Sequence, residues 1–233
     1  MNRSVLRYAC VLFFLVVLMS TGFLVCLEAQ DVSAQNKGAR TEEVIKLPPP
    51  KLDGTLSVEK ALSERRTVRS YKEDSLTLTE ISQLLWAAQG ITEPQRGLRT
   101  APSANARYLL ETYIVSGNVA GLSMGLYKYH SKGHELVKVA EGDKKAELFK
   151  AVGQVPIKNA PAVIVFSGMP ERSKKLAFMY LEAGHAAQNV QLQAQSLKLG
   201  TVTMGGFTDE DVRKVLGMGQ GELPIYLIPV GRR

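Results

Sequence analysis

The chain has 233 residues, 45% of them hydrophobic and 22% charged, a mixture that can bury a core for one sizeable domain or two small ones. Its 29 Lys and Arg against 22 Asp and Glu give a net charge of +7, which permits an anionic ligand, a nucleic acid or a membrane surface as partner. The basic residues are not interleaved with aromatic ones and no helix-turn-helix, RNP or zinc-finger pattern occurs, so no nucleic acid is expected.

Residues 1–29 read as a signal peptide or an N-terminal membrane anchor. Arg3 and Arg7 precede an uncharged run from Tyr8 to Leu27, the pattern of an export signal. Cleavage can follow Ala29 or Ala34, but the run approaches the roughly 20 residues that span a bilayer, so a retained anchor stays open beside a cleaved signal. Both place the body outside the cytoplasm, in a periplasmic or other extracytoplasmic location. Phe23-Leu24-Val25 before Cys26 lacks the small residues of a lipoprotein signal, and Arg3 and Arg7 are not adjacent as in a twin-arginine signal. Both cysteines, Cys10 and Cys26, lie in this segment. The rest can hold no disulfide, thiolate metal site or cysteine nucleophile. Without residues 1–29, which carry Arg3, Arg7 and Glu28, the net charge is still +6.

Residues 30–54 are polar and then stiffen at Leu47-Pro48-Pro49-Pro50, which predicts an extended tether leading into a folded domain over residues 55–233. Ser57 is positioned to cap a helix through Val58, Ala61 and Leu62. At its end lies Glu64-Arg65-Arg66-Thr67-Val68-Arg69-Ser70, with three arginines in five residues. Such a cluster is either a solvated basic face or a socket for a phosphate, whose oxygens match the guanidinium fork. Thr79 offers a cap for a helix over Glu80–Gln89, closed by Gly90, with Leu78, Ile81, Leu84, Leu85 and Ala88 on one face. Thr100–Ala106 is a small, polar turn entering a strand over Glu111–Ser116. Leu126–His130 and Glu135–Val139 form a hairpin, Asp143–Ala151 a short helix, and Ala162–Phe166 an apolar strand. Leu176–Lys198 should be the longest helix, and its alanines on several faces suit the centre of a domain or a dimer interface. Gly200 is expected to terminate it, before a strand over Thr201–Met204, a turn at Gly205-Gly206-Phe207, a helix over Asp209–Leu216 and a last strand over Ile225–Val230, followed by Arg232 and Arg233.

Glu182 and His185 stand one helical turn apart, half of a carboxylate di-iron motif, but a second copy is absent and His130, His134 and His185 are the only histidines. No metal is expected; His185 reads as hydrogen-bonded inside a packed helix, and His130 and His134 as surface residues beside a turn. No dinucleotide-binding glycine fingerprint or P-loop is present. Gly205-Gly206 is either a tight turn or a place where bare backbone approaches a flat ligand.

Six stretches in order, Arg65-Arg66-Thr67-Val68-Arg69, Leu84–Gly90, Ala101-Pro102-Ser103-Ala104-Asn105, Glu182–Asn189, Leu199-Gly200-Thr201 and Pro229-Val230-Gly231-Arg232, together resemble the nitroreductase-like flavoproteins. The closest subgroup is that of the thiazole/oxazole-forming peptide dehydrogenases. The resemblance implies an α+β fold: a central mixed, mainly antiparallel sheet flanked by helices, in an intertwined homodimer with two FMN sites at its interface. It assigns Arg65, Arg66, Thr67 and Arg69 to the FMN phosphate and pyrimidine side. Arg232 would complete the phosphate pocket, Pro102, Ser103 and Asn105 would reach a flavin from the partner subunit, and Met204, Gly205 and Gly206 would lie against the isoalloxazine ring. Asn105, Arg107 and Leu109 depart from the subgroup pattern. The implied activity is an FMN-dependent oxidoreductase. It would pass electrons from NAD(P)H, a quinol or a protein donor to an electron-poor small molecule of nitro or quinone type, by a ping-pong cycle in which the flavin, and no catalytic side chain, carries the chemistry. The alternatives are a non-enzymatic flavin- or anion-binding module, or a dehydrogenase acting on a peptide-derived azoline.

Overall fold

A run such as Ala162–Phe166, apolar at every position, needs cover on both faces, and it lies well inside the sheet. A computed structural model describes residues 43–173 and 175–233. The expected export segment, residues 1–29, and the tether as far as residue 42 lie outside the described residues. Seven strands form one sheet: β1 (Val44–Lys46), β5 (Leu110–Ser116), β7 (Gly125–His130), β8 (Glu135–Glu141), β9 (Ala162–Gly168), β10 (Leu199–Thr201) and β11 (Leu223–Arg232). Their order is β1-β8-β7-β5-β9-β11-β10, and every neighbouring pair is antiparallel. Two small ladders flank it, β2 (Leu76–Thr77) with β6 (Val119–Ala120) and β3 (Ile91–Glu93) with β4 (Leu98–Arg99).

Alternation along β9 divides the core. Ala162, Ile164 and Phe166 face α2 (Leu78–Gln89) and α5 (Leu176–Ser196), packing with Ile81, Leu84, Leu85, Met179, Ala183 and Val190. Val163 and Val165 face α3 (Lys144–Val152), α4 (Val155–Asn159) and α6 (Asp209–Leu216), packing with Leu148, Ile157, Val212 and Leu216. Helices thus cover both faces, which is the expected α+β architecture.

Several boundaries differ from expectation for identifiable reasons. The cap of α2 is Thr77, not Thr79: its hydroxyl accepts from the Glu80 amide at 3.2 Å while the Glu80 carboxylate accepts from the Thr77 amide at 2.8 Å, a reciprocal capping box. Helix α5 ends before Gly200. The chain turns at Lys198, whose φ is +59°, and Gly200 lies inside β10. The strand expected over Thr201–Met204 stops at Thr201, and Met204 rejoins the sheet as an isolated bridge to Leu227. The second half of the tether is docked. Residues 44–46 pair with Val137, Leu136 and Glu135, Leu47 is buried, and the Lys51 amide donates to Gln83 Oε1 at 2.8 Å.

His134 holds that strap in place and is half-buried, contrary to its expected surface position. Its Nε2 reaches the Pro48 carbonyl at 3.0 Å and Ser82 Oγ at 2.7 Å, and its Nδ1 meets Tyr129 Oη at 2.9 Å. A carbonyl can only accept, so Nε2 carries the proton and Nδ1 accepts from the tyrosine hydroxyl. Burial lowers the pKa of this imidazole, against the raising effect of the Pro48 carbonyl.

Candidate functional site

The arginine segment begins where α1 (Val58–Glu64) ends. Ser57 Oγ accepts from the Lys60 amide at 3.1 Å at one terminus, and the Arg65 amide donates to the Ala61 carbonyl at 2.9 Å at the other. Arg65 then takes an extended conformation, and its Nη1 donates to Gln191 Oε1 at 3.2 Å. Arg66 is exposed and folds back on the Ser63 and Arg65 carbonyls. Thr67 bridges in parallel to Thr201, and the Val68 amide donates to the Thr201 carbonyl at 2.9 Å. Arg69 is exposed and hydrogen-bonds to no described residue.

Two glycines let this segment lie flat on the sheet. A Cβ on Gly200 would come within 2.6 Å of Val68 Cγ1, and one on Gly231 within 2.8 Å of Tyr71 Cγ. Tyr71 Oη donates to the Val68 and Pro229 carbonyls at 2.9 and 3.2 Å. Burial raises its pKa far above the ordinary phenol range, while Arg69 opposes the shift weakly, so the hydroxyl remains a donor.

Helix α5 joins the arginines to the glycine turn. Gln191, which accepts from Arg65, donates through Nε2 to Thr203 Oγ1 at 2.6 Å. Beyond Thr203, Met204 is buried and exchanges both backbone hydrogen bonds with Leu227 at 2.9 Å. Gly205 and Gly206 are exposed, and neither has a positive φ. A Cβ on Gly206 would meet nothing within 4 Å, and one on Gly205 would make only ordinary contacts from 3.6 Å outward. Nothing within the described chain requires either glycine, whereas a flat ligand laid against this backbone would. The Gly206 carbonyl is fixed by Gln154 Nε2 at 2.7 Å.

The third element is the loop from Ala101 to Tyr108. Thr100 Oγ1 donates to the Trp86 carbonyl, Asn189 Nδ2 to the Thr100 carbonyl, and the His185 ring to the Pro102 carbonyl at 3.3 Å. His185 is therefore an exposed residue steadying this loop, not the internal histidine expected. Ser103 Oγ accepts from the Tyr108 amide at 2.9 Å. Asn105, Ala106 and Tyr108 all have φ between +50° and +55°, a conformation that costs non-glycine residues on the order of 1 kcal/mol each. Pro102 and Asn105 are exposed. The loop and the arginine segment lean on successive parts of α5, but no hydrogen bond among the described residues joins them.

Arg232 is directed elsewhere. Its guanidinium is held bidentately by Glu80, at 2.7 and 3.0 Å. Burial would raise the Glu80 pKa, but Arg232 and the Thr77 amide and hydroxyl outweigh it and the net shift is downward. Arg233 instead donates to Gln195 Oε1 at 2.9 Å, and Gln195 donates to Glu64 Oε2 next to Arg65. Thus Arg65 is linked through Gln191 of α5 to Thr203 beside Met204, Gly205 and Gly206, Thr67 is bridged to β10, Arg66 and Arg69 are exposed with no bond to α5 among the described residues, Pro102, Ser103 and Asn105 stand apart on the strained loop, and Arg232 is paired with α2. Gln191, Gln195 and Thr203 were not singled out in the sequence, and Arg233 was noted only as the neighbour of Arg232. The only available signal was the density of glutamines on α5.

An arginine segment and an unencumbered glycine turn, linked through Gln191 and Thr203, are features that could receive an anionic ligand with a flat portion. A model of the nitroreductase family matches residues 62–232, and the chain belongs to that family. A Methanocaldococcus jannaschii protein named as a nitroreductase is 40% identical over 185 residues, covering 76% of this chain and 92% of that one. A solved structure from Ralstonia eutropha JMP134, also named as a nitroreductase, is 28% identical with a TM-score of 0.71, over 84% of this chain and 91% of its own. A Desulfovibrio desulfuricans protein solved in complex with FMN shares the fold at 17% identity and a TM-score of 0.56, over 75% of this chain and 85% of its own.

Proposed function

We propose that the connected site holds FMN and that the protein is a flavin-dependent oxidoreductase, taking electrons from a donor and delivering them to an electron-poor nitro or quinone compound in alternate half-reactions. The observation that carries this reading is the turn at Gly205-Gly206, left bare without an internal reason and linked through Thr203 and Gln191 to Arg65. When bound, FMN supplies the two-electron chemistry. The chain supplies position and charge. Arg65, Arg66 and Arg69 would neutralise the phosphate, Thr67 would offer a hydrogen bond beside them, and backbone donors of the turn would favour negative charge at the ring edge. Arg232 would join only by leaving Glu80, so Arg233 is the better placed of the two C-terminal cations.

Part of the site would come from a second copy. The first two turns of α5 expose Leu176, Phe178, Tyr180 and Leu181, and α1 exposes Val58 and Leu62, apolar surface suited to a homodimer interface. Pro102, Ser103 and Asn105, on the strained loop, would then reach the partner's flavin. We further propose that residues 1–29 export the protein, as a cleaved signal or an anchor. A membrane quinol or partner protein would then be a more accessible reductant than NAD(P)H. A peptide-derived azoline is the alternative substrate, on the likeness of the sequence motifs to the peptide dehydrogenases; direct comparison of a nitroaromatic, a quinone and an azoline as substrates separates these readings.

The test is a visible absorption spectrum of the purified protein. A flavin band that bleaches with a reductant and returns with a nitro or quinone acceptor is expected, and Arg69→Ala should purify with much less flavin. A colourless wild type that binds no added FMN would refute the assignment. A yellow protein that never exchanges electrons would make it a binding module.

A further inference from the structure

Away from this site, at the base of the loop that presents Pro102, lies a cavity of about 580 Å³ between β5, β7, the end of α2 and β4. Its volume is that of sites accommodating whole small molecules. Gln89 and Thr112 on its wall are 1% and 3% exposed. Gln89 Nε2, Thr112 Oγ1 and Arg99 Nε are buried without a hydrogen-bond partner among the described residues. The orientation of Gln89 is fixed, because its Oε1 accepts from Arg99 Nη1 at 2.9 Å, so its free amide group is a donor. Each of these three side chains can therefore donate, and one carries a full charge. Leaving such groups unmet costs roughly 1–3 kcal/mol apiece.

The remaining charges are largely balanced. Glu111 pairs with Arg172 at 2.8 Å and Lys128 at 3.1 Å, and Glu135 pairs with Lys46. Lys132 and His130 stand on the β7–β8 turn lining the cavity. Arg99 stacks on the Tyr108 ring at 4.4 Å. Burial lowers its pKa, opposed first by Glu182, whose Oε2 accepts from the Leu109 amide at 3.2 Å while its Oε1 is buried without a hydrogen-bond partner among the described residues. Tyr108, Tyr129 and Leu110 supply apolar wall.

We propose that this cavity binds a small organic oxyanion, a carboxylate on a flat apolar body, with the carboxylate met by Arg99, Gln89 and Thr112 and the body against Tyr108 and Tyr129. This inference does not depend on the flavin reading. It is tested by calorimetric titration of the full-length chain with benzoate, acetate and inorganic phosphate. The expected result is one saturable benzoate site, tighter than acetate, weakened about tenfold or more in Thr112→Val, because one hydrogen bond to a charged group is worth that much. Arg69→Ala should retain it, and phosphate should not displace benzoate. Arg99→Lys, which keeps the charge but loses Nε, is the second variant if Thr112→Val lowers the melting temperature. No saturable benzoate binding, affinity that survives both cavity variants, or loss of binding in Arg69→Ala would overturn the proposal, as would acetate or phosphate binding there as tightly as benzoate.

Discussion

Gly200→Ala tests whether the arginine segment is placed by its packing on β10. The added Cβ would sit 2.6 and 2.7 Å from Val68 Cγ1 and Cβ, where ordinary contact begins at 3.4 Å. Val68 must therefore retreat by about 0.8 Å, and overpacking of this kind costs about 1–3 kcal/mol. Retreat also strains the 2.9 Å hydrogen bond from the Val68 amide to Thr201, worth about 1 kcal/mol. If about 2 kcal/mol of the total falls on the liganded position of Arg65–Arg69, the Kd for FMN rises about 30-fold. Fluorescence titration of flavin-stripped protein, with a thermal melt beside it, measures both parts. Unchanged Kd and unchanged Tm would refute the packing reasoning. A lower Tm with wild-type Kd would show that this segment does not position the flavin.

Gly206→Ala should behave in the opposite way, with a melting temperature like the wild type because the Cβ meets nothing, but with weaker flavin binding; the same titration and melt decide it. The pKa of His134 is lowered in the folded state, so the unfolded chain binds more protons and stability falls as pH drops below about 6.5. Urea melts from pH 7.5 to 5.5 should show this slope, and His134→Asn, which tolerates the φ of +45°, should flatten it. The pKa of Glu80 is also lowered on folding, so its contribution is present above about pH 4.3 and lost as pH falls further. Glu80→Gln should cost about 1–2 kcal/mol at neutral pH through the Arg232 pair and the cap, and the deficit should shrink in melts at pH 3.

Elements whose determinants are local were legible in the sequence. Ser57 before α1, the Asp209–Leu216 stretch and the β7–β8 hairpin carry their caps, periodicity or turn residues within a few positions. The arginine segment and the glycine turn were visible as chemistry, and a family pattern connected them. What was not legible depends on distant partners. Val44–Lys46 looked like spacer because three residues carry little periodicity, and only β8 makes them a strand. Helix α4 was missed because Gly153-Gln154 followed by Pro156 reads as a break, although proline is well suited to a first helical turn. Gly200 looked like a helix stop, while its reason is Val68, 132 positions earlier in the chain. The destination of Arg232 could not be read at all, since its partner Glu80 is simultaneously occupied with a helix cap.

Every sheet that is not a closed barrel has two outer strands with unpaired backbone groups, which invite pairing with other chains. Here β1 shields β8 on one side. On the other side the contacts of Thr67 and Val68 with Thr201 shield β10. The segment proposed to grip the phosphate is thus also the guard of a sheet edge. Its two duties are coupled: protein without ligand has less holding Arg65–Arg69 in place, and each excursion of that segment bares β10. Cofactor occupancy would then govern colloidal behaviour as well as activity, with the empty protein the more prone to self-associate through this edge.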